Sequence, residues 1–286
     1  MPTVPDVRPS ALVARLAATL GSSAEARTLV AHVLGCEPAR LPLAEDPGPD
    51  AVAALDALVA RRLAGEPLQH LTGRTWFRTV GVEVGPGVFV PRPETEVMTG
   101  WALDRLAELP AVPRPRVVEL CTGSGAISLA LLTEHPGLDL HAVEISEDAA
   151  PYLRRNLAGT DAAIVIADMA DALTDLDGSV DLVIANPPYV PLAHWADVPG
   201  DVRDHDPLVA LVSGEDGLDA LRVVARVAAR LLRPGGRVCA EHAEVQEHSA
   251  PEVFVRHGGF VRIVDERDLT GRPRFVTAVR AGRMAP

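Results

Sequence analysis

A buried strand that ends at two prolines constrains the fold of this chain more than any other segment. Residues 180–185 form a mainly apolar run rich in valine and isoleucine, and Asn186-Pro187-Pro188-Tyr189 follows it directly. Such a run is typical of a parallel strand with both faces covered. Proline has a fixed φ and no N–H, so the chain must leave the sheet at this point. Ligands bind at the carboxyl edge of open α/β sheets, and we therefore expect Asn186 to face a crevice.

The tetrapeptide offers two hydrogen-bond acceptors to a planar NH2 group. The side-chain oxygen of Asn186 and the carbonyl oxygen of Pro187 are expected to face the same way, because the two prolines supply no N–H donors. Two such acceptors hold both N–H bonds of an amide or aromatic amine and aim its nitrogen at an electrophile. Tyr189 would then cover the flat face of the bound group. The alternative is a plain Asn-Pro turn after a strand.

Predicted strands and helices alternate from Arg116 to the end of the chain. The predicted strands lie at residues 116–120, 139–145, 162–167, 180–185, 235–241, 259–265 and 274–280. The helices between them lie at residues 126–134, 147–158, 217–232 and 246–257. This alternation requires a twisted, largely parallel sheet of seven strands with helices on both faces. Only a short connection joins the last two strands, so we expect them to pair antiparallel.

Two shorter segments precede this α/β domain, which we place at residues 94–286. Leucine, valine and alanine recur at helical spacing in residues 1–66 and predict a small bundle of three or four helices. Residues 67–93 change to alternating valines around Gly85-Pro86-Gly87, and we interpret them as a β-hairpin that connects the two domains. The bundle is either a cap on the larger domain or a surface that binds a macromolecular partner.

The ends of the first three strands of the sheet carry residues suited to a nucleoside. Cys121-Thr122-Gly123-Ser124-Gly125 is a turn whose glycines let a ligand approach the backbone closely. Glu144 ends the second strand, where an acid commonly holds both ribose hydroxyls. Asp168 ends the third strand and would accept a hydrogen bond from an adenine amino group, or cap a helix. The turn has neither the dinucleotide glycine pattern nor a phosphate-binding lysine. These features together with Asn186 predict a pocket for S-adenosylmethionine.

The composition argues against several other classes of function. The net charge of −12 and the lack of an arginine-rich stripe disfavour a nucleic-acid substrate. All 27 basic residues are arginine, which excludes a lysine nucleophile. The spacing of the histidines and the three cysteines predicts neither a metal site nor a disulfide framework. Without an apolar stretch long enough for a membrane or a signal sequence, we expect a cytoplasmic protein, and we expect it to be a monomer.

Several segments, taken with the Asn-Pro-Pro-Tyr tetrapeptide, resemble the HemK/PrmC family of protein-glutamine N5-methyltransferases over nearly the whole chain. Pro91-Arg92-Pro93-Glu94-Thr95-Glu96 is the specific segment, because adenine N6-methyltransferases share the tetrapeptide. The other similar segments are residues 62–67, 122–125, 216–218 and 234–236, and Glu241 with Gln246. The resemblance implies a Rossmann-like class I S-adenosylmethionine-dependent methyltransferase fold. It also implies a helical amino-terminal domain that grips a class I release factor while the Gly-Gly-Gln loop of that factor enters the crevice.

The resemblance also implies roles for individual residues. Those implied to contact S-adenosylmethionine are Cys121, Thr122, Gly123, Ser124, Gly125, Glu144, Asp168, Met169 and Asn186. Those implied to hold the glutamine amide are Asn186, Pro187, Pro188 and Tyr189, with Asn186, Pro187 and Tyr189 catalytic. The amide nitrogen would attack the sulfonium methyl group in line and displace S-adenosylhomocysteine, without an obvious general base.

This sequence departs from the family at four places, and three other functions stay open. Cys121 stands where the family usually has glycine, Glu144 where it has aspartate, Met169 where it often has tryptophan, and Asp206-Pro207 where it often has Glu-Pro. The side chain of Cys121 would crowd the methionine end of the cofactor. The open alternatives are an adenine N6-methyltransferase of DNA or RNA, a ribosomal-protein glutamine methyltransferase, and a catalytically weak cofactor-binding module.

Overall fold

The computed structural model of the protein describes residues 6–110, 114–197 and 200–282. The backbone divides into two compact units. The helical unit contains the described residues up to Arg74 together with Gly200–His205, and the α/β unit contains the other described residues. No sequence pattern indicated that Gly200–His205 belongs with the helical unit.

The helices and strands of the described residues follow the alternation expected from the sequence. The helices are α1 (Pro9–Leu20), α2 (Ser23–Val33), α3 (Pro49–Leu63), α4 (Leu68–Thr72), α5 (Pro93–Ala107), α6 (Ala126–Glu134), α7 (Ala150–Asn156), α8 (Gly200–Arg203), α9 (Asp219–Leu231) and α10 (Ser249–His257). Short 3-10 helices lie at Pro38–Leu43, Thr174–Leu176, Leu192–Asp197, Leu208–Ala210 and Glu244–Gln246. The strands are β1 (Arg74–Phe77), β2 (Val80–Glu83), β3 (Arg116–Leu120), β4 (Asp139–Glu144), β5 (Ala163–Ile166), β6 (Val180–Ala185), β7 (Leu232–Glu241), β8 (Phe260–Arg267) and β9 (Pro273–Arg280).

The helical unit is held together by an apolar core from α1 to α4. Leu12, Leu29, Leu55 and Leu71 are among its buried side chains. The helix α2 begins where the hydroxyl of Ser22 accepts the N–H of Glu25 at 3.2 Å, which satisfies a backbone donor that the first turn leaves unpaired. The carboxylate of Glu25 in turn binds the guanidinium of Arg62 on α3 at 2.7 Å. The predicted helical bundle is therefore present.

The α/β unit contains the expected sheet. Within the described residues, seven strands form one sheet in the order β5-β4-β3-β6-β7-β9-β8. The pairs β5–β4, β4–β3, β3–β6 and β6–β7 are parallel, while β9 runs antiparallel to both β7 and β8. The strand β7 begins earlier than predicted, because Leu232 already pairs with Val180, ahead of a register shift that precedes the pair of Leu182 with Arg237. The mostly parallel sheet with an antiparallel carboxyl-terminal strand is confirmed.

The apolar character of the strands follows from the cover on both faces of the sheet. Successive side chains of a strand point to opposite faces. Val183 of β6 belongs to the core that includes side chains of α9 and α10, whereas Leu182 and Ile184 belong to the core that includes side chains of α5 and α6. Each fully buried side chain of this size contributes roughly 1.5–3 kcal/mol. The central strands are therefore firmly held, and so are the residues at their carboxyl ends.

The β-hairpin lies earlier in the chain than its sequence pattern indicated. The strands β1 and β2 pair with each other and are joined at Arg78-Thr79, whereas Gly85-Pro86-Gly87 follows β2. Arg78 has a φ of 50°, in the left-handed region that costs a side chain energy. Its N–H donates to Glu96 at 3.0 Å, and its guanidinium pairs with Glu134 at 2.7 Å. These distant carboxylates stabilise a turn for which the local sequence gives no signal.

Candidate functional site

A cavity of about 440 Å³ opens at the carboxyl edge of the sheet in the α/β unit. It lies where the chain leaves β3, β4, β5 and β6, as expected for a ligand site in an open α/β sheet. The site residues predicted from the sequence that line it are Cys121, Thr122, Gly123, Ser124, Glu144, Asp168, Met169, Asn186, Pro188 and Tyr189. The fold therefore brings together residues that are scattered along the sequence.

The turn after β3 is tied to the neighbouring strand by backbone and side-chain hydrogen bonds. The N–H and the hydroxyl of Thr122 both donate to the carbonyl of Val143, each at 3.1 Å. Gly123 has a φ of 59°, which glycine adopts without cost. Gly125 is needed for packing, because a Cβ atom there would lie 2.8 Å from Cδ1 of Leu153. Gly125 thus permits the close packing of α6, which begins beside it, on α7.

Cys121 adopts a backbone conformation that favours glycine. Its φ is 56°, in the left-handed region, although its Cβ makes that region unfavourable. Its sulfur lies 3.8 Å from the sulfur of Met169. Burial, and then the charge of Glu144, raise the pKa of the Cys121 thiol well above its usual range. The thiol therefore stays protonated and is not a nucleophile at neutral pH.

The carboxylate of Glu144 is fixed by two backbone donors. Its Oε2 accepts the N–H of Gly123 at 2.6 Å, and its Oε1 accepts the N–H of Ser146 at 2.8 Å. A carboxylate has about four acceptor positions, so each oxygen can accept one further bond. The carboxylate can therefore receive two neighbouring hydroxyls without having to reorient.

Asp168 stabilises its own turn. Its Oδ1 accepts the N–H of Ala170 at 2.9 Å, and no described α-helix begins there. The helix-capping alternative for Asp168 does not hold, because the bond closes a local turn. The carboxylate remains at the cavity wall beside Met169.

Sequence reasoning missed Glu119, a further acid in the cavity wall. Its side chain is 1% exposed and accepts a hydrogen bond from the hydroxyl of Ser128. Burial raises the pKa of Glu119 to about 8, so the group is mostly protonated at pH 7. The signal was an acid inside the apolar strand β3, where a charge is costly unless it is paired.

The amide of Asn186 is held by a buried chain of side chains that sequence reasoning also missed. The Asn186 Nδ2 group donates to Oγ1 of Thr95 at 3.2 Å, and the hydroxyl of Thr95 donates to Oε2 of Glu241 at 2.6 Å. The hydroxyl of Tyr189 donates to the other oxygen of Glu241 at 3.3 Å. Thr95 and Glu241 lie in segments that resemble the HemK/PrmC family, but their position behind the tetrapeptide needed the structure.

The backbone of Tyr189 is supported from two further segments. The side-chain NH2 of Gln246 donates to the carbonyl of Tyr189 at 3.1 Å. A Cβ atom at Gly217 would lie 2.3 Å from that same carbonyl oxygen, and Gly217 has a φ of 77°. Glycine is therefore required at position 217. Burial, and then the charge of Glu241, raise the pKa of Tyr189 beyond its usual range, so its hydroxyl remains a donor.

A strap formed by residues 207–214 covers one side of the cavity. The N–H of Val190 donates to the carbonyl of Leu211 at 2.8 Å, and the N–H of Ser213 donates to the carbonyl of Val190 at 3.0 Å. Asp206, directly before the strap, binds the guanidinium of Arg92 at 3.1 Å. Aspartate in place of the family's usual glutamate thus still reaches Arg92. The strap had no recognisable sequence signal, although Arg92 and Asp206 of its attachment lie in segments compared with the HemK/PrmC family.

Comparison with known proteins agrees with the fold. The family model "PrmC N-terminal domain" matches residues 11–73, and the model "Methyltransferase small domain" matches residues 86–196. The catalytic domain of hMettl16, solved in complex with a MAT2A 3'UTR hairpin, shares the fold with a TM-score of 0.55 and 13% identity, over 81% of each chain. The fold and the cavity together define a class I S-adenosylmethionine-dependent methyltransferase.

The sequence relatives are more specific than the fold. A release factor glutamine methyltransferase of Streptomyces coelicolor is 54% identical over 78% of this chain and 79% of its own length. One of Mycolicibacterium smegmatis is 45% identical over 91% of each chain. A 4-amino-L-phenylalanine/4-methylamino-L-phenylalanine methyltransferase of Streptomyces pristinaespiralis is 40% identical over 80% of this chain and 78% of its own length. The chain belongs to the release factor glutamine methyltransferase family, whose HemK/PrmC motifs it carries.

S-adenosylmethionine is the cofactor of this family, and the residues of the cavity fit it. The ribose of the cofactor has two neighbouring hydroxyls, and the carboxylate of Glu144 has two acceptor positions left for them. The cationic end of the cofactor suits a cavity wall that contains the carboxylates of Glu144 and Asp168 but none of the arginines. None of the helices in the described residues has both the length and the apolar character needed to cross a membrane.

Proposed function

We propose that this protein transfers the methyl group of S-adenosylmethionine to the side-chain amide nitrogen, N5, of the glutamine in the Gly-Gly-Gln loop of class I release factors. The main support is the fixed amide of Asn186. Because Nδ2 of Asn186 is bound to Thr95, its Oδ1 is the atom left to accept an N–H from the cavity. The relatives from Streptomyces coelicolor and Mycolicibacterium smegmatis bear the corresponding name.

The protein acts mainly by positioning. The Oδ1 of Asn186 and the carbonyl of Pro187 accept the two N–H bonds of the glutamine amide, and Tyr189 covers its flat face. The bound cofactor supplies an electrophilic methyl group. A neutral amide is a weak nucleophile, and correct alignment is worth roughly 7–11 kcal/mol. The amide proton becomes acidic only as the new N–C bond forms, and it passes late to water or to Asn186.

We assign the remaining predicted residues to the cofactor. The backbone of the turn 121–125 lies against the ligand, and Glu144 accepts the ribose hydroxyls. Asp168 and Met169 lie beside the adenine, and Asn186 lies between the cofactor and the amide. Their common position around one cavity supports this assignment for all but Gly125, which permits the packing of α6.

We also assign the binding of the release factor to the helical unit. The predicted bounds are residues 1–66 for the substrate-binding domain, residues 67–93 for the connector and residues 94–286 for the methyltransferase domain. The helix α4 falls within the predicted connector, but its Leu71 packs in the core of the helical unit. The 87% exposed side chain of Leu43 in the helical unit is a candidate anchor for the partner. A substrate of the translation machinery supports a cytoplasmic location, and we expect the enzyme to act as a monomer.

Other planar NH2 groups define the competing functions. The relative from Streptomyces pristinaespiralis is named for an aromatic amine, and such an amine presents the same flat NH2 as glutamine. An adenine in DNA or RNA does so too, but the net charge of −12 offers little attraction to phosphate. A ribosomal-protein glutamine shares the chemistry of the proposed substrate and differs only in its flanking sequence.

The decisive experiment incubates the protein with labelled S-adenosylmethionine and each candidate substrate separately. We expect the label on the Gly-Gly-Gln glutamine of the organism's own release factor, located by tandem mass spectrometry. Label on another residue, on 4-amino-L-phenylalanine, on a ribosomal protein or on nucleic acid alone would refute the proposal. Asn186→Ala should lower the single-turnover rate by about 10²- to 10³-fold, while calorimetry finds most of the cofactor affinity intact. An unimpaired variant would exclude the role of Asn186.

Docking by the helical unit is tested with two substrates and a matched pair of variants. Leu43→Ala should lower kcat/KM for the intact release factor and leave a short Gly-Gly-Gln peptide unaffected, because the peptide has no distant surface. The control is Leu269→Ala, which removes a similarly exposed leucine, 92% exposed, from the α/β unit. Equal effects of Leu43→Ala on both substrates would show that Leu43 is not an anchor.

A further inference from the structure

We propose that Thr95 and Glu241 are positioning residues that determine which end of the Asn186 amide faces the cavity. The inference rests on the proposed function, because it concerns how Asn186 receives an incoming NH2 group. An amide turned by 180° would present its own NH2 to that group, and two donors would then face each other. The orientation of Asn186 is therefore a condition for methyl transfer.

Three elements meet at this point in the α/β unit. Asn186 follows β6 and Glu241 ends β7, and the register that pairs Ala185 with Ala240 brings these two residues alongside each other. Thr95 lies in the first turn of α5 and stands between them. The side chains of Thr95 and Glu241 are 3% and 1% exposed. Water therefore has little access to compete for their hydrogen bonds.

The number of protons available in the hydrogen bonds between Glu241, Thr95 and Asn186 fixes the orientation of the Asn186 amide. An ionised Glu241 can only accept, so the single hydroxyl proton of Thr95 points to it, at 2.6 Å. The oxygen of Thr95 can then only accept from its other neighbour, which must be the NH2 of Asn186, at 3.2 Å. The Oδ1 of Asn186 is consequently directed away from Thr95. The charge on Glu241 thus sets the orientation of the Asn186 amide through the hydroxyl of Thr95.

A protonated Glu241 removes this constraint. Its own hydroxyl can donate to Thr95, the proton of Thr95 can turn toward Asn186, and the amide can then rotate. Burial, the leading influence, raises the pKa of Glu241 to about 7. The other groups that face the carboxyl are Arg274 on β9, which favours its ionised form, Glu94 on α5, which opposes it, and the hydroxyl of Tyr189. Methyl transfer should therefore rise with pH through about 7.

We call the hydrogen bonds that link Glu241, Thr95 and Asn186 the relay. Single-turnover rates at saturating cofactor test it with conservative substitutions. Thr95→Val keeps the shape but removes the hydroxyl, and we expect a rate about 10- to 100-fold lower. Thr95→Ser, which restores the hydroxyl, should recover most of the rate. The matched control is Thr99→Val, one turn later on α5, where the buried hydroxyl donates only to the carbonyl of Thr95 at 3.0 Å. Its rate should match the wild type.

The pH profile separates the relay from a merely structural role. The wild-type rate should be about tenfold lower at pH 6 than at pH 8, because only the ionised fraction of Glu241 is productive. Glu241→Gln has no such ionisation, so its profile should lose this tenfold rise, whatever its absolute rate. A Thr95→Val rate equal to the wild type, or an unchanged pH profile in Glu241→Gln, would refute the inference.

A substrate-free measurement distinguishes failure of the relay from failure of the proposed function. The side-chain NH2 of Asn186 can be followed by nitrogen-15 NMR and assigned with Asn186→Ala. Its resonance should shift with pH through about 7 in the wild type and not in Glu241→Gln. A pH-independent resonance in the wild type contradicts the relay. A wild-type protein that shows the shift but leaves the release factor unmethylated contradicts only the proposed function.

Discussion

Substitution of Glu119 by glutamine should make the stability of this protein less dependent on pH. Glu119 is almost fully buried in β3, and burial raises its pKa from 4.5 to about 8. The folded protein therefore holds a proton on Glu119 that the unfolded chain releases at lower pH. Stability from this group is fully present below pH 4.5 and is lost as the pH rises through 8.

The magnitude follows from the two pKa values. Each pKa unit corresponds to about 1.4 kcal/mol, so the loss relative to acidic pH is about 4 kcal/mol at pH 8. The same calculation gives a loss of stability of under about 1 kcal/mol at pH 5. Glutamine keeps an oxygen that can accept from Ser128 but has no proton to lose. The free energy of unfolding of Glu119→Gln minus that of the wild type should therefore be about 3 kcal/mol larger at pH 8 than at pH 5.

Urea unfolding of both proteins at pH 5 and pH 8 measures this double difference. The buried carboxyl of Glu241 has a pKa raised to about 7 and contributes a loss of the same sign, but it is present in both proteins and cancels. Glu147→Gln, at an exposed position, controls for the change in net charge. A stability difference between Glu119→Gln and the wild type that is the same at both pH values would refute the argument.

Two further predictions concern the cofactor site. Glu144→Ala should weaken binding of S-adenosylmethionine, because it removes the carboxylate that Gly123 and Ser146 hold in place, and calorimetry with affinity equal to the wild type would reject the ribose assignment. Cys121→Gly should bind the cofactor as tightly as the wild type or more tightly. Its stability in urea should change by less than about 1 kcal/mol, since relief of the left-handed strain is offset by the greater freedom of glycine in the unfolded chain. Cys121→Ala keeps the strain and is the control, and lost cofactor binding in Cys121→Gly would mean that the thiol has a role of its own.

The strands of the sheet were predictable because their signals are local and strong. The bounds of β3 and β6 match the sequence prediction, since each is a short apolar run that ends at a turn or at prolines. The antiparallel end of the sheet followed from the short connection between the last two strands. The position of Asn186 at the carboxyl edge then followed from the rule for parallel sheets.

The features that could not be predicted depend on contacts between distant residues. The turn at Arg78 is stabilised by Glu96 and Glu134, which no local pattern connects to it. Cys121 has a left-handed φ, which is unfavourable for a residue with a Cβ atom. Backbone propensity alone therefore predicts a different conformation at this position. The raised pKa values of Glu119 and Glu241 arise from burial. The sequence shows only that each acid has apolar neighbours, and the extent of its burial depends on the fold.

Three residues from the segments that resemble the HemK/PrmC family share one structural role. Glu241, Gln246 and Gly217 come from separate parts of the chain, yet each lies against the Asn-Pro-Pro-Tyr tetrapeptide. Gln246 binds the carbonyl of Tyr189, Gly217 leaves room for that carbonyl, and Glu241 accepts the hydroxyl of Tyr189 and, through Thr95, controls Asn186. A tetrapeptide alone can adopt many conformations, and its two acceptors select a planar NH2 only when their directions are fixed. In the proposed function, the specificity of the site therefore depends on the residues behind the tetrapeptide as much as on the tetrapeptide itself.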